Sequence, residues 1–137
     1  SLRVGWGHAS KKIINAMNII KAPFNVNQLA QNAAKEALKD RKFINRSVKH
    51  NITEANKVKN ILEKLNISSN EVTANFLLLN FDKCKFSANY VFKKLQSKGI
   101  ILRSTKEGYN IENKLRLTIG SSKENARFLS TIKLILK

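Results

Sequence analysis

The sequence predicts a chain of the α/β class, of the α+β type, with one layer of helices and one three-stranded sheet in its C-terminal half. Three observations favour this class. Apolar residues recur every three or four positions through the first half, as they do in amphipathic helices. Three short apolar segments follow in the second half. A further helical pattern separates the first of these segments from the other two, so helices and strands can form two packed layers.

The chain opens with a strand-like segment over residues 2–7 that ends at glycine. Ser10 is placed to cap a first helix, and Pro23 is placed to stop it. One face of that helix is apolar, with Ile13, Ile14, Met17 and Ile20. The strand has no evident partner in this chain. Because an unpaired strand exposes its backbone hydrogen-bonding groups, we expect it to belong to another sheet.

Two more helices follow in the first half. Asn25 with Gln28 resembles a capping box for the second, and the third covers roughly 41–66. The second helix carries a continuous apolar stripe, made of Val26, Leu29, Ala30, Ala33, Ala34, Ala37 and Leu38. The third has a predicted buried face made of Ile44, Val48, Ile52, Ala55, Val58, Leu62 and Leu65.

The second half is predicted to hold strands at about 72–81, 100–103 and 115–119. Ser87 can cap a helix over 88–97, and Gly99 can end it, as glycine commonly does just past a helix. Ser121 with Glu124 forms a capping box for the last helix, whose predicted buried residues are Phe128, Leu129, Ile132, Ile135 and Leu136.

The chain is strongly basic, with a formal charge of +17 from 26 basic and 9 acidic residues. Such a charge raises nucleic acid as a partner. The excess is spread evenly, with 13 basic and 4 acidic residues in 1–66 and 13 and 5 in 67–137. No aromatic signature or glycine-rich loop typical of RNA-binding modules is present. A nucleic-acid-binding module therefore remains an alternative, and we expect no nucleic-acid partner.

Cysteine and histidine are scarce. Cys84 is the one cysteine, so no internal disulfide can form, which suits a reducing compartment such as the cytoplasm. His8 and His50 lie far apart, and no cluster has metal-ligand spacing, so we expect no metal site. No apolar run approaches a membrane span, and we expect no membrane partner.

Several motifs occur in a fixed order. They are Leu2-Arg3-Val4-Gly5, a segment over 23–34 that begins Pro23-Phe24-Asn25-Val26-Asn27, Ala74-Asn75-Phe76, Gly99-Ile100-Ile101-Leu102-Arg103, and Leu115-Arg116-Leu117-Thr118-Ile119-Gly120, which Glu124-Asn125 continue. Together they resemble the C-terminal third of fold-type-I aminotransferases that depend on pyridoxal 5′-phosphate, and most of all the histidinol-phosphate aminotransferases. The resemblance extends over nearly the whole chain.

The resemblance implies roles for three arginines. Arg3 resembles the residue that binds the cofactor's 5′-phosphate. Arg103 resembles the one that meets the phosphate of the substrate, and Arg116 the one that holds the substrate α-carboxylate. A guanidinium suits all three roles, because its planar fork binds the oxygens of carboxylates and phosphates in pairs.

The resemblance also implies an organisation and an activity. Residues 1–25 would be the tail of a large cofactor-binding domain with its connecting helix, and 26–137 the small domain. In the family the lysine that forms the Schiff base lies just upstream of Ser1, so we expect no catalytic residue in this chain. We expect the isolated chain to be inactive and to bind no cofactor, and the full-length enzyme to be a homodimer acting on a small-molecule substrate.

Two further alternatives stay open. One is another class I or II aminotransferase, for example of the aromatic amino-acid type, which shares much of this pattern. The other is a free-standing α/β interaction domain that has lost catalysis.

Overall fold

The computed structural model describes residues 2–137, so Ser1, the first residue of the predicted segment 1–25, lies outside the described residues. The helices are α1 (Lys11–Ile20), α2 (Gln28–Lys39), α3 (Arg41–Glu63), α4 (Ala88–Ser97), α5 (Lys106–Tyr109) and α6 (Ser122–Ile135). The strands are β1 (Ser68–Ser69), β2 (Phe76–Asn80), β3 (Arg103–Ser104) and β4 (Lys114–Thr118). The chain divides into two compact units, residues 1–45 and 46–137.

The first unit is helical. The predicted strand over residues 2–7 is wrong, because residues 2–10 form neither helix nor strand. A lone strand without a neighbour cannot pair its backbone groups, and the sheet of the second unit has no strand from this segment. α1 begins directly after Ser10, as predicted, and ends at Ile20, ahead of Pro23.

α2 begins two residues later in the sequence than the predicted capping box places it. The cap is Asn27, whose side-chain oxygen accepts a hydrogen bond of 2.8 Å from the backbone N–H of Ala30, so the prediction of Asn25 was wrong. Ala30 is fully buried and Ile14 and Ala34 are half-buried, whereas other apolar residues of α1 and α2 are open; Met17 is 57% exposed and Leu29 is 74% exposed.

The second unit contains a four-stranded antiparallel sheet in the order β1-β2-β4-β3. The sequence predicted three strands, and the missed one is β1, in which Ser68 pairs with Asn80 and Ser69 with Leu79. Because β1 consists of two polar residues, it has no alternation of apolar and polar residues from which a strand could be predicted.

Other boundaries differ by a few residues. β2 is confined to Phe76–Asn80, within the predicted 72–81. β3 begins where the predicted strand over 100–103 was to end, since only Arg103 and Ser104 pair with β4. α3 ends at Glu63, before the predicted limit at residue 66. Asn66, just beyond the helix, adopts a left-handed conformation (φ 59°), as residues that end a helix commonly do.

The core of the second unit lies on one face of the sheet. Leu77 and Leu79 of β2 and Leu115 and Leu117 of β4 point to that face, and α3, α4 and α6 cover it. The helical residues that complete this core are Ala55, Val58, Leu62, Ala88, Val91, Leu95, Phe128, Leu129 and Ile132. Burial of each large aliphatic side chain contributes about 1.5–3 kcal/mol, so this packing fixes the orientation of the strands.

The opposite face of the sheet is not covered by these helices. Lys114, Arg116 and Thr118 of β4 alternate with the two buried leucines and therefore point to that second face. Across the part of the chain that the structure describes, no helix is both long and apolar enough to cross a bilayer.

Candidate functional site

Two arginines lie side by side on the uncovered face of the sheet. Arg103 of β3 and Arg116 of β4 are direct partners in the antiparallel register. Cross-strand partners have Cβ atoms about 4.5–5.5 Å apart and point to the same face. Arg103 and Arg116, predicted separately to meet a phosphate and a carboxylate, are thus brought together by the fold.

This pairing is unfavourable in itself, since like charges directly opposite one another on a sheet repel. Within residues 2–137 the salt bridges join Lys39 to Glu36, Lys57 to Glu54 and Lys106 to Glu112. Neither arginine of the pair takes part in them. Two adjacent guanidinium groups without a carboxylate partner form a site that an anion would stabilise.

An aromatic ring supports each arginine. The guanidinium carbon of Arg116 lies 5.2 Å from the ring centroid of Phe76, on β2. The guanidinium carbon of Arg103 lies 5.7 Å from the ring centroid of Tyr109, in the turn α5 between β3 and β4. Cation–π attraction of this kind holds a guanidinium in place while leaving its N–H groups free to donate.

The guanidinium of Arg116 is also incompletely satisfied. Its Nε atom is buried and has no hydrogen-bond partner among the described residues. A buried donor left unpaired costs about 1–3 kcal/mol, so such groups in folded proteins commonly mark a functional site or a missing partner.

The two arginines line a cleft of about 630 Å³. Its other walls are the segment 99–102, the end of β4 with Gly120, and the first turns of α6 with Glu124, Asn125 and Arg127. A volume of this size suits a small-molecule ligand. Arg127 donates a hydrogen bond of 2.9 Å to the carbonyl of Lys98, so this third arginine is engaged in closing the end of α4.

The carboxylate in the cleft wall, Glu124, is also engaged. Its Oε2 accepts hydrogen bonds from the Ser121 hydroxyl (2.7 Å) and the Ser121 backbone N–H (2.8 Å), which lowers the pKa of Glu124 below its ordinary value. This reciprocal arrangement is the predicted capping box at the start of α6. Glu124 is therefore satisfied without Arg116.

A buried polar cluster stands behind the cleft. Glu54, on α3, accepts hydrogen bonds from Asn125 (2.9 Å) and Ser122 (3.0 Å) on α6. The bond from Asn125 is the main cause that holds the pKa of Glu54 below its ordinary value; burial opposes it, and Ser122, Lys57 and His50 add to it. Sequence analysis missed this glutamate, although it lies four residues before buried Val58 on the apolar stripe of α3.

Arg3 belongs to the first unit, is exposed, and has left-handed backbone angles (φ 55°). Its guanidinium donors are open to an anion such as a phosphate. Its role with the cofactor stays a prediction. No group of three or more metal-ligating side chains occurs within residues 2–137.

The chain matches the family model described as "Aminotransferase class I and II" over residues 1–132. It is 80% identical over 135 residues to a histidinol-phosphate aminotransferase of Pelagibacter ubique, covering 98% of this chain and 38% of that protein. A protein of the same name from Campylobacter hominis is 37% identical, with 98% and 36% covered. The chain thus spans a little over a third of the length of these relatives.

Solved structures share the fold. The histidinol-phosphate aminotransferase from Clostridium acetobutylicum superposes with a TM-score of 0.77 at 25% identity, covering 91% of this chain and 38% of that one. The enzyme of that name from Sinorhizobium meliloti, solved in complex with pyridoxal 5′-phosphate, gives a TM-score of 0.71 at 18% identity, covering 89% and 33%.

Proposed function

The chain belongs to the class I and II aminotransferase family, and from that membership we propose that it is the substrate-gripping C-terminal part of a histidinol-phosphate aminotransferase. The proposed reaction moves an amino group between histidinol phosphate and 2-oxoglutarate, in the biosynthesis of histidine. The family match spans nearly the whole chain, which favours this function over the basic nucleic-acid-binding module and the non-catalytic interaction domain.

One observation carries the proposal: Arg103 and Arg116 are cross-strand partners on the uncovered face of the sheet, without a carboxylate partner. Two adjacent guanidinium groups match a substrate whose anionic group lies next to the reacting α-carbon. We propose that Arg116 binds the α-carboxylate of glutamate, or the polar group that takes its place in histidinol phosphate. In histidinol phosphate the group in that place carries the phosphate, and Arg103, directly beside Arg116, would bind this phosphate.

The cofactor of the family is pyridoxal 5′-phosphate, which when bound draws electron density away from the α-carbon of the substrate. The exposed guanidinium of Arg3 has the chemistry to hold its phosphate. The contribution of the remaining residues is orientation. Arg103 and Arg116 hold the anionic group next to the α-carbon of the substrate, so that the α-carbon is presented in one position, and this positioning lowers the entropic cost of reaction.

We propose further that residues 1–25 end a large cofactor-binding domain and that 26–137 form the small domain. The complete enzyme would be a homodimer of the cytoplasm, where the free thiol of Cys84 suits a reducing environment.

The test separates the two half-reactions in the full-length enzyme. Arg103→Ala is expected to depress kcat/KM for histidinol phosphate more than for glutamate, and Arg116→Ala to cripple the glutamate half. Loss of one charge-assisted bidentate contact costs about 2–4 kcal/mol, roughly thirtyfold to a thousandfold. Lysine at either position should rescue only in part, because the fork geometry is lost.

The matched control is Arg41→Ala, which removes the same charge from an exposed position at the start of α3. It should leave both half-reactions unchanged. Small and equal effects of Arg103→Ala and Arg116→Ala on both half-reactions would mean that the pair is a surface charge, and the proposal would be wrong.

A further inference from the structure

The turn that follows β4 is held by side chains from two helices. The backbone N–H of Gly120 donates to Oδ1 of Asn125 (3.1 Å), and Nδ2 of Asn125 donates to the carbonyl of Gly120 (3.1 Å). Nε2 of His50, on α3, lies 3.0 Å from the same carbonyl oxygen. Gly120 thus has both of its backbone polar groups fixed, only four residues after Arg116 in the chain.

The residue that makes these bonds is itself held. Nδ2 of Asn125 also donates to Oε2 of Glu54 (2.9 Å), and the Ser122 hydroxyl donates to Oε1 of Glu54 (3.0 Å). Asn125 is 3% exposed and Glu54 7% exposed. The negative carboxylate lies at the positive N-terminal end of α6, where the helix dipole favours it. The amide of Asn125 is therefore fixed in one orientation between Glu54 and Gly120.

Resting on the proposed function, we infer that Glu54 and Asn125 are positioning residues that hold the Gly120 turn, and through it the end of the strand that presents Arg116 to the substrate. Because both the N–H and the carbonyl of Gly120 are hydrogen-bonded to Asn125, the backbone of the turn is held in one position. Gly120 also packs closely, since a Cβ atom there would lie 2.8 Å from Oε2 of Glu124.

The chemistry of the cluster favours a positioning role over simple stabilisation. A buried charged group seldom stabilises a fold better than apolar residues of the same volume. What a fully hydrogen-bonded carboxylate–amide pair supplies is a defined geometry. Bidentate binding of a carboxylate requires the guanidinium to be placed within about half an ångström, so a fixed strand end has a direct effect on binding.

The inference is tested in the full-length enzyme with Asn125→Ala. KM for glutamate, and Kd for the non-reacting dicarboxylate glutarate measured by calorimetry, should each rise about tenfold, while kcat changes by less than about threefold. The reason is that a displaced Arg116 loses binding that ground state and transition state share. A lower melting temperature with KM and Kd unchanged would mean a purely structural role and would overturn the inference.

A double-mutant cycle separates this inference from the proposed function. If Asn125 acts through Arg116, then Asn125→Ala should have little further effect on kcat/KM in an Arg116→Ala background. Should Arg116→Ala alone leave the glutamate half-reaction intact, the proposed function fails. If Arg116→Ala impairs the reaction and Asn125→Ala adds its full effect on top, the positioning inference fails while the proposed function stands.

Milder variants cover the case in which Asn125→Ala does not fold. Glu54→Gln keeps the side-chain volume, and His50→Ala removes the third tie on Gly120 from an exposed position. Each should raise Kd for glutarate about threefold. The control is Glu63→Gln, an exposed glutamate on the same helix, which should leave Kd unchanged. Kd values for Glu54→Gln and His50→Ala equal to that of the control would also overturn the inference.

Discussion

Phe76 lies diagonally across the sheet from Arg116, with its ring centroid 5.2 Å from the guanidinium carbon. The ring fixes the guanidinium without using any of its N–H donors. We predict that Phe76→Leu, in the full-length enzyme, raises KM for glutamate. Loss of a partly desolvated cation–π contact costs about 1–2 kcal/mol, or roughly five- to thirtyfold. Phe76→Tyr keeps an aromatic face, so its KM for glutamate should stay near the wild-type value. Steady-state kinetics of the glutamate half-reaction measure both variants, and a KM raised more by Phe76→Tyr than by Phe76→Leu would contradict the prediction.

Tyr109 has the matching relationship with Arg103, at 5.7 Å, but is about half exposed. We predict that Tyr109→Ala weakens binding of the phosphorylated substrate by about 0.5–1 kcal/mol, a factor of two to five. The glutamate half-reaction should change less. An equal loss in both half-reactions would contradict the assignment of Arg103 to the phosphate, and Tyr109→Phe serves as the control that keeps the ring.

The buried carboxylate of Glu54 links stability to pH. Hydrogen bonds hold its pKa in the folded state below the value of a free glutamate, so its contribution is complete above about pH 4.3 and is lost as pH falls through the lower, folded-state pKa. We predict that Glu54→Gln lowers the free energy of unfolding at pH 7 by about 1–3 kcal/mol. The difference from wild type should shrink as pH is lowered.

Denaturant titrations at a series of pH values measure this difference. Asp82 and Glu124 also have lowered pKa values, through hydrogen bonds from Asn113 and Ser121 respectively, so both proteins should lose stability in acid. Only the difference in free energy of unfolding between wild type and Glu54→Gln reports on Glu54. A gap that stays constant down to acid pH would show that the charge of Glu54 adds nothing to the hydrogen bonds.

The capping box of α6 gives a prediction for stability alone. Ser121→Ala removes the hydroxyl that accepts from the backbone N–H of Glu124 and donates to its carboxylate. The expected loss is about 1 kcal/mol, within the usual range for a helix cap. Ser130→Ala, an exposed mid-helix position on α6, should be neutral or slightly stabilising, because alanine favours helix. Thermal unfolding of the two variants under one condition compares them directly.

The isolated 137-residue chain is predicted to transfer no amino group. The resemblance matches none of its lysines to the one that forms the Schiff base with the cofactor. Mixing the chain with pyridoxal phosphate, reducing with borohydride and mapping the peptides should give only scattered, substoichiometric labelling. Stoichiometric labelling of a single lysine, together with turnover, would contradict the prediction.

The sequence predicted those elements that have strong local signals. The N-caps Ser87 and Ser121 located the starts of α4 and α6, and left-handed Gly99 the end of α4. β1 was missed because a pair of serines carries no period. The cap of α2 was misplaced because Asn25 and Asn27 are chemically alike, and only the folded backbone decides which one accepts from Ala30.

The candidate site was likewise predicted only in part from the sequence. Arg103 and Arg116 were found from the motif around each, yet their cross-strand pairing depends on a register between segments separated by a loop. That register follows from which leucines enter the core, and so it is a tertiary property. Phe76 contacts Arg116, and Glu54 contacts Asn125, across long stretches of sequence, so local pattern alone gives Phe76 and Glu54 no role. Tyr109 meets Arg103 only because the loop between β3 and β4 folds back.

The loop between β3 and β4 is closed at its base, where the Thr105 hydroxyl lies 2.9 Å from the carbonyl oxygens of both Ile111 and Lys114. The backbone ladder below this closure sets the spacing of the two arginines, independently of the residues above it. Mutation can therefore lengthen, shorten or rewrite residues 106–110 without altering that spacing. Descendants of this protein, and libraries made from it, can vary that loop, including the ring of Tyr109 beside Arg103, while the spacing of Arg103 and Arg116 is inherited unchanged.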